Sequence, residues 1–361
     1  LSTWGKHHAL AVRAHYYNET SLVTYTGITE AEYRNSGIRY NPFKNDEFKV
    51  NRYGLSATYD VQLAENIALV TSVYGSKFDR DWWRQSSTTT DGQGGTGVRD
   101  TRLAGLRIDP DTIESTQGRL RKYSTYGVEP RLSLHHRLFE IENEFSVGVR
   151  AHYENQKRQQ KNGKTPTARD GDLVENNERF TDAYSGFAQN RFLLGQWTLT
   201  PGVRIERVIN RRTDNRTGAT GKTSLTEIIP AIGMTFNPND GTTLFAGVHR
   251  GFAPPRTEDL IFTPANQPFA TFADVDPEKS WNYELGVRTT PQPGLHVEAT
   301  LFRNDFKNLI AVGSIAGGST PLAQAKALFE GLEFSGRFES RELFQTSGNI
   351  YFQTAYTFLP T

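Results

Sequence analysis

Arginine is the side chain whose placement in this sequence offers chemistry. A guanidinium grips a carboxylate or phosphate through parallel hydrogen bonds and keeps its charge at any physiological pH. Arg80 and Arg84 flank Trp82-Trp83; His249 and Arg250 precede GFAPP, and Arg256 follows it. Arg121-Lys122 and the series Lys157, Arg158, Lys161, Lys164 supply more cations. Such groups bind anions but do not by themselves break bonds. The motifs that would break bonds fail. GATGKT at 218–223 has Arg216 where a phosphate loop needs its first glycine, and a strand pattern follows instead of a helix. GQGGTG at 92–97 lacks the strand and helix of a dinucleotide site. The eight histidines include His7-His8 and His135-His136 but no metal-ligand spacing. There is no cysteine, so no disulfide or thiolate site, and no G-x-S-x-G elbow. The reading is binding, with no catalytic residue and no metal-ligand set.

The elements that carry these arginines are strands. Apolar and polar residues alternate one by one, which puts successive side chains on opposite faces. Tyr53, Leu55, Ala57, Tyr59, Val61 and Leu63 oppose Gly54, Ser56, Thr58, Asp60 and Gln62. Trp281, Tyr283, Leu285 and Val287 oppose Asn282, Glu284, Gly286 and Arg288. Strand patterns fall at 7–17, 47–63, 65–79, 120–137, 142–155, 180–193, 196–210, 224–236, 242–252, 280–289, 295–307, 327–338 and 346–358. Long connections at 18–46, 85–119, 156–179, 211–223, 253–279 and 308–326 alternate with short ones. The short ones lie near Ala64, Phe139–Ile141, Leu194-Gly195, Asn237–Gly241, Pro291–Gly294 and Glu339–Gln345. Turns on one side and loops on the other mark an antiparallel transmembrane β-barrel. Pro130, Pro201 and Pro230 fall within strand patterns and are expected near strand ends or bulges. TGITEAEY, at 26–33, suits one helical turn within its loop.

Composition agrees. Of 361 residues only 36% are apolar and the mean hydropathy is −0.59, yet a barrel hides its membrane signal in alternate residues. Aromatics reach 12%, with 22 Phe and 15 Tyr, as interfacial girdles require. Charged residues at every second position are costly in a small dry core but not along a wide, wet lumen. The net charge of +1 gives no basic field for nucleic acid. No signal peptide opens the chain and both ends are abrupt, so it reads as a piece of a longer polypeptide.

Several stretches resemble a family. GFAPP, PEKSWNYELG and LFRNDFKNLI are similar to the late barrel strands of TonB-dependent outer-membrane siderophore receptors, most like the ferric-citrate type. YNETSLVTYTGITEAEY, YGSKFDRDWWR, GVRIE and EGLEFSGR extend the likeness over nearly the whole chain. The resemblance implies a barrel of about 22 strands around an N-terminal plug. The thirteen strands here would be about the fifth to seventeenth, with the plug and last strands not in the chain. It also implies active import of a ferric siderophore, a ferric-citrate-like carboxylate chelate, with energy from the TonB complex acting through the plug. Iron enters only within the chelated ligand, and no cofactor is implied. The membrane partners would be outer-membrane lipid and lipopolysaccharide.

For an anionic chelate the pocket needs Arg or Lys. Arg256, at the mouth of a long loop, stands where the ferric-citrate type has a ligand-contacting glutamine; the alternative is a solvated arginine paired with Glu258 or Asp259. Arg80, Arg84 and Trp82 would present guanidinium and indole to the ligand; the alternative is an interfacial girdle with arginines on lipopolysaccharide phosphates. Arg250 or His249 would face the lumen, and parity favours His249. Gln267, Phe269 and Phe272 would touch ligand if their loop closes, or pack that loop upon itself. Arg121 and Lys122 are weaker candidates, and the basic series from Lys157 to Lys164 is more simply a solvated loop. The competing readings are a passive porin-like channel and a barrel lipase, for which no convincing Ser–His pair exists. Within the receptor class, haem uptake would want a histidine that 253–279 lacks, whereas cobalamin and saccharide uptake stay open.

Overall fold

The computed structural model describes residues 2–3, 7–24, 27–85, 96–254, 261–262, 271–272, 276–311 and 322–360. Thirteen of its strands are eight residues or longer: β1 (His8–Ser21), β2 (Glu47–Ala64), β3 (Ile67–Arg84), β4 (Thr116–Leu138), β5 (Ile141–Gly163), β6 (Asp172–Leu194), β7 (Trp197–Asp214), β8 (Thr220–Asn239), β9 (Thr242–Ala253), β10 (Glu278–Gln292), β11 (Leu295–Ala311), β12 (Leu322–Glu339) and β13 (Tyr351–Phe358). Each pairs antiparallel with its neighbours in sequence, and Ser2–Thr3 adds a short edge beside β1. Among the described residues β1 and β13 do not pair, so the sheet is an open wall. No helix among those residues is long and apolar enough to cross a membrane; any crossing is made by strands.

The register turns the alternation into rows. One runs Val12, Ala57, Val73, Val128, Ala151, Tyr184 across β1 to β6. Another runs Ala246, Leu285, Leu301, Leu332, Phe358 across β9 to β13. Leu55, Leu285 and Leu301 on this face are 59%, 58% and 55% exposed. So continuous an apolar surface suits lipid, not water. Aromatic rings bound it. Tyr16 meets Tyr53 and Tyr126 meets Tyr153, which meets Tyr184; at the other end Trp197 stacks on Phe236. From Trp197 up to Arg207, opposite Tyr184, the strand climbs roughly 33 Å at about 3.3 Å per residue. With the tilt usual for barrels that is roughly 25 Å, the height of an outer-membrane apolar band.

The opposite face is polar and satisfies itself. Arg150 donates to the Tyr74 hydroxyl, which lies 2.6 Å from His152 Nδ1, and His152 Nε2 lies 2.9 Å from Glu154. These groups come from alternate positions, as charges lining a lumen must.

The structure corrects four expectations. The connections at 156–179 and 211–223 are short, because β5 runs to Gly163, β6 begins at Asp172, β7 runs to Asp214 and β8 begins at Thr220. Above the membrane both faces of a strand meet water, so the apolar signal vanishes there while the hydrogen-bond ladder continues. Glu339–Gln345 is no tight turn: α3 (Ser340–Phe344) occupies it and β13 starts only at Tyr351. The three prolines lie well inside their strands. Val128 pairs with Ala151 and Arg131 with Gly148 in one unbroken register, so Pro130 costs rungs toward β5 without a bulge. Pro201 does the same toward β6, and pairing of β8 with β9 stops one residue short of Pro230. TGITEAEY holds the start of α1 (Glu30–Ser36) rather than one isolated turn. Thr29 caps it in a reciprocal box with Glu32, and Gly37, at φ 80°, ends it.

Much of the best-buried packing sits above the sheet. The 22–46 and 85–115 connections knit together around Phe43 and Ile113, which are 0% and 3% exposed. Arg102, on α2 (Thr96–Leu103), donates to both carboxylate oxygens of Glu32 at 2.8 and 3.0 Å and to the Gly27 carbonyl, with its guanidinium over Phe43. Gln85 Nε2 donates to the Pro110 carbonyl, and Lys44 and Asn45 both reach Asp111. Burial alone would raise the Glu32 carboxyl; the hydrogen bonds from Arg102 and Thr29 outweigh it and hold the pKa below the ordinary glutamate value.

Candidate functional site

Alternation above the tyrosine rows puts a set of arginines on the lumen face, beneath the loop cap. β3 contributes Arg80 and Arg84, β4 Arg119 and Arg121, β5 Arg158, β6 Arg179 and β7 Arg212. The register stacks them against one another. Arg80 pairs with Arg121 and Arg121 with Arg158; one level on, Arg179 pairs with Arg212. Like charges directly opposite across strands are destabilising, so such a stack calls for counter-charge. Glu175 supplies some of it, 2.7 Å from Arg158 and 4.0 Å from Arg119. Arg121 is 5% exposed and donates to the Leu120 and Gln159 carbonyls; Arg179 is 4% exposed and donates to Asn177. Among the described residues, the buried Nε of Arg80 meets no hydrogen-bond acceptor. Burying a guanidinium costs free energy unless it is paired, and Arg121 meets its cost in part through the two carbonyls.

Trp82 stands in the middle of this set. Its indole Nε1 donates to the Val23 carbonyl at 3.1 Å, its ring packs edge-on against Phe48, and the guanidiniums of Arg80 and Arg84 lie 5.9 and 4.9 Å from it. The girdle alternative for Trp82-Trp83 is therefore corrected. Trp82 is on the lumen face under the 22–46 loop, well above the tyrosine row. Trp83 points the other way but is buried, its ring lying where a side chain at Gly118 would be. Arg169 of the β5–β6 loop pairs nearby with Glu47 at 2.9 Å.

The candidates do not all meet. Arg80, Arg84, Trp82 and Arg121 come together, whereas Lys122 faces outward opposite Lys157. Arg250 shares the row of Leu244, Ala246 and Val248 and turns to Glu227, 3.4 Å away, which Lys279 also holds at 2.6 Å. His249, opposite Ala231, takes the lumen parity. Arg256, Gln267 and Phe269 lie outside the described residues, and of Phe272 only its pairing with Ile261 is described. Arg119, Arg179 and Arg212 escaped the sequence reading, and Arg158 was assigned to a loop. The missed signal was the two-residue step carried on beyond the apolar zone, as in Arg119-Leu120-Arg121. Among the described residues no three His, Asp or Glu side chains form a cage for a bare metal ion. Guanidiniums set side by side in this way are chemically able to bind an anion.

Known folds agree with this architecture. The wall superposes on the ferric citrate transporter FecA in its unliganded form with a TM-score of 0.76 at 20% identity, covering 98% of this chain and 49% of that one. The siderophore receptor PiuA from Acinetobacter baumannii gives 0.68 at 13% identity, over 98% and 55%. The closed form of the ferric-catecholate import receptor Fiu from K12 E. coli gives 0.63 at 12%, over 99% and 56%. The chain thus spans about half the length of each of these. Residues 4–361 match the family model described as TonB dependent receptor-like, beta-barrel. With a model spanning nearly its whole length, a lipid-facing wall and a polar lumen, the chain belongs to the TonB-dependent receptor β-barrel family, whose members reside in the outer membrane of Gram-negative bacteria.

Proposed function

We propose that this chain is the barrel portion of a receptor that imports a ferric siderophore, an anionic carboxylate chelate of the ferric-citrate kind, with TonB-system energy delivered through a plug. The observation that carries the reading is the row Arg80, Arg121, Arg158, three guanidiniums set opposite one another across adjacent strands on the lumen face. A chelate with several free carboxylates would relieve the mutual repulsion of such a row, each carboxylate taking charge-assisted hydrogen bonds from a guanidinium. Iron travels as cargo inside the chelate, and no bond-breaking step is assigned to the wall. Trp82 gives the pocket a link to its cover: ligand that draws Arg80 or Arg84 off the indole face alters the footing of the 22–46 loop, which Trp82 holds through Val23. Arg256 is proposed as a further ligand contact on the family resemblance of GFAPP alone.

Titration of the full-length receptor with ferric dicitrate tests the reading. Arg80→Ala weakens binding by about 1–3 kcal/mol, the scale of a lost charged hydrogen bond, and Arg256→Ala does so to a similar or smaller extent. Unchanged affinity in Arg80→Ala contradicts the assignment; unchanged affinity in Arg256→Ala removes only that residue from the proposed site.

A further inference from the structure

The wall forks at one place. Above the rung between Ala231 of β8 and His249 of β9 these two strands no longer pair, although both continue. β8 stays with β7 from Pro230 up to Thr220, and β9 stays with β10 from Arg250 to Ala253. Pro230 is the cause. The Arg250 side chain donates to the Ile228 carbonyl at 3.4 Å, so that carbonyl faces β9. Backbone groups two residues apart in a strand face the same neighbour, and at Pro230 the donor on that side is missing. The ladder ends where that donor is needed.

The fork begins inside the apolar zone. Ile228, opposite Ile205, is 55% exposed on the lipid face. Pro230 lies roughly 13 Å, at about 3.3 Å per residue, below Thr226, which is level with Arg207. Lipid holds no water to satisfy a strand edge, so a gap at that depth must be closed by side chains. Arg250 faces Trp281 on the lipid-facing row, and Lys279 stands two residues further along it. Both nevertheless reach through the gap to Glu227 on the lumen face, at 3.4 and 2.6 Å. Glu227 needs them. It stands directly opposite Glu206 of β7, whose cation is Arg204 at 2.5 Å, and its own neighbours on that face of β8 are Leu225 and Ile229. Facing carboxylates repel, and relief for the second one comes from across the fork.

Beneath the fork the joint is bare. Gly233 of β8 stands directly opposite Gly247 of β9, two residues below the last rung. A Cβ added at Gly233 would meet nothing within 4 Å, and one at Gly247 nothing closer than 4.0 Å. Glycine in a strand brings backbone freedom and no side chain to pack, and here two share one rung. We infer that the fork is a hinged seam in the wall. The upper ends of β9 and β10 swing away from β8 about the Gly233–Gly247 rung, and Glu227, held by Arg250 and Lys279, is the latch that keeps the seam shut. Opening breaks no rung between the described residues of β8 and β9, because their ladder already ends below Pro230. Neither strand is left single, since β8 keeps β7 and β9 keeps β10.

The test is hydrogen exchange on the full-length receptor in lipid nanodiscs, read by mass spectrometry over 226–230 and 250–253 above the hinge and over 234–236 and 244–248 below it. No ligand is added, so the outcome stands apart from the import reading. Glu227→Gln keeps the size of the side chain and drops its charge; it is expected to exchange at least tenfold faster above the hinge, at an unchanged rate below it. Gly233→Val fills open space and touches no charge. It is expected to slow exchange above the hinge, and it decides the matter alone if the Glu227→Gln protein does not fold. A wild-type rate above the hinge in folded Glu227→Gln overturns the latch. Faster exchange along the whole β8–β9 ladder in that variant, or a wild-type rate in Gly233→Val, overturns the hinge.

Discussion

Two regions of this protein bury arginine under opposite conditions. In the loop cap, Arg102 is matched: Glu32 takes two of its hydrogen bonds, the Gly27 carbonyl another, and the Phe43 ring lies beneath. On the lumen wall, Arg80, Arg121 and Arg158 face one another, with Glu175 shared between Arg158 and Arg119. The first arrangement is closed and holds two loops in place. The second sets like charges opposite one another, which the proposed function reads as a place for an anion. In the proposed reading, an arginine with its own carboxylate serves the architecture, and an arginine set opposite other arginines serves the ligand.

Substitutions should separate the two. Arg102→Ala strands Glu32 in a dry site and is expected to destabilise the loop pair by about 3–5 kcal/mol, as broken buried ion pairs do. Hydrogen exchange in 22–46 and 85–115 reports it, and protection equal to wild type would make the cap independent of this pair. Acid reaches the same contact by another route. The Glu32 carboxyl is held below its ordinary value of 4.5, so its contribution is complete above that pH and is lost as pH falls through the lower folded value. Exchange in the cap should quicken below about pH 4.5, while the lumen arginines keep their charge throughout.

The lumen wall should behave in reverse. Arg80→Met removes one member of a like-charged row and is expected to leave barrel stability unchanged or raised by up to about 1 kcal/mol, while ferric dicitrate binding falls. A loss of stability as large as that of Arg102→Ala would erase the distinction between the regions. The smallest effect belongs to Thr29→Ala, which removes one half of the capping box on α1 and should cost about 1 kcal/mol, seen as faster exchange confined to the start of that helix.

Most of the wall was legible in the sequence because lipid imposes a strict two-residue period. Leu55, Val73, Ile205 and Leu285 announce their face by neighbours of opposite polarity. Above the tyrosine rows that constraint lapses, so Gln156, Arg158 and Gln160 read as loop although the register with β4 runs through them to Gly163. The loop cap was less legible for a different reason. Phe43, Glu32, Arg102 and Ile113 are distant in sequence, and only tertiary packing brings them together. The capping box of α1 is the exception, since Thr29 and Glu32 signal locally. Of the site, Arg80, Arg84 and Trp82 stood out through their clustering, whereas Arg119, Arg179 and Arg212 are isolated charges that only strand pairing assembles.

The most direct measurement is a structure of the full-length receptor saturated with ferric dicitrate. The account predicts chelate carboxylate oxygens about 2.7–2.9 Å from guanidinium nitrogens of Arg80, Arg121 or Arg158, with the Arg102–Glu32 pair unchanged. A chelate held away from that row, with no carboxylate on any of the three guanidiniums, would contradict it.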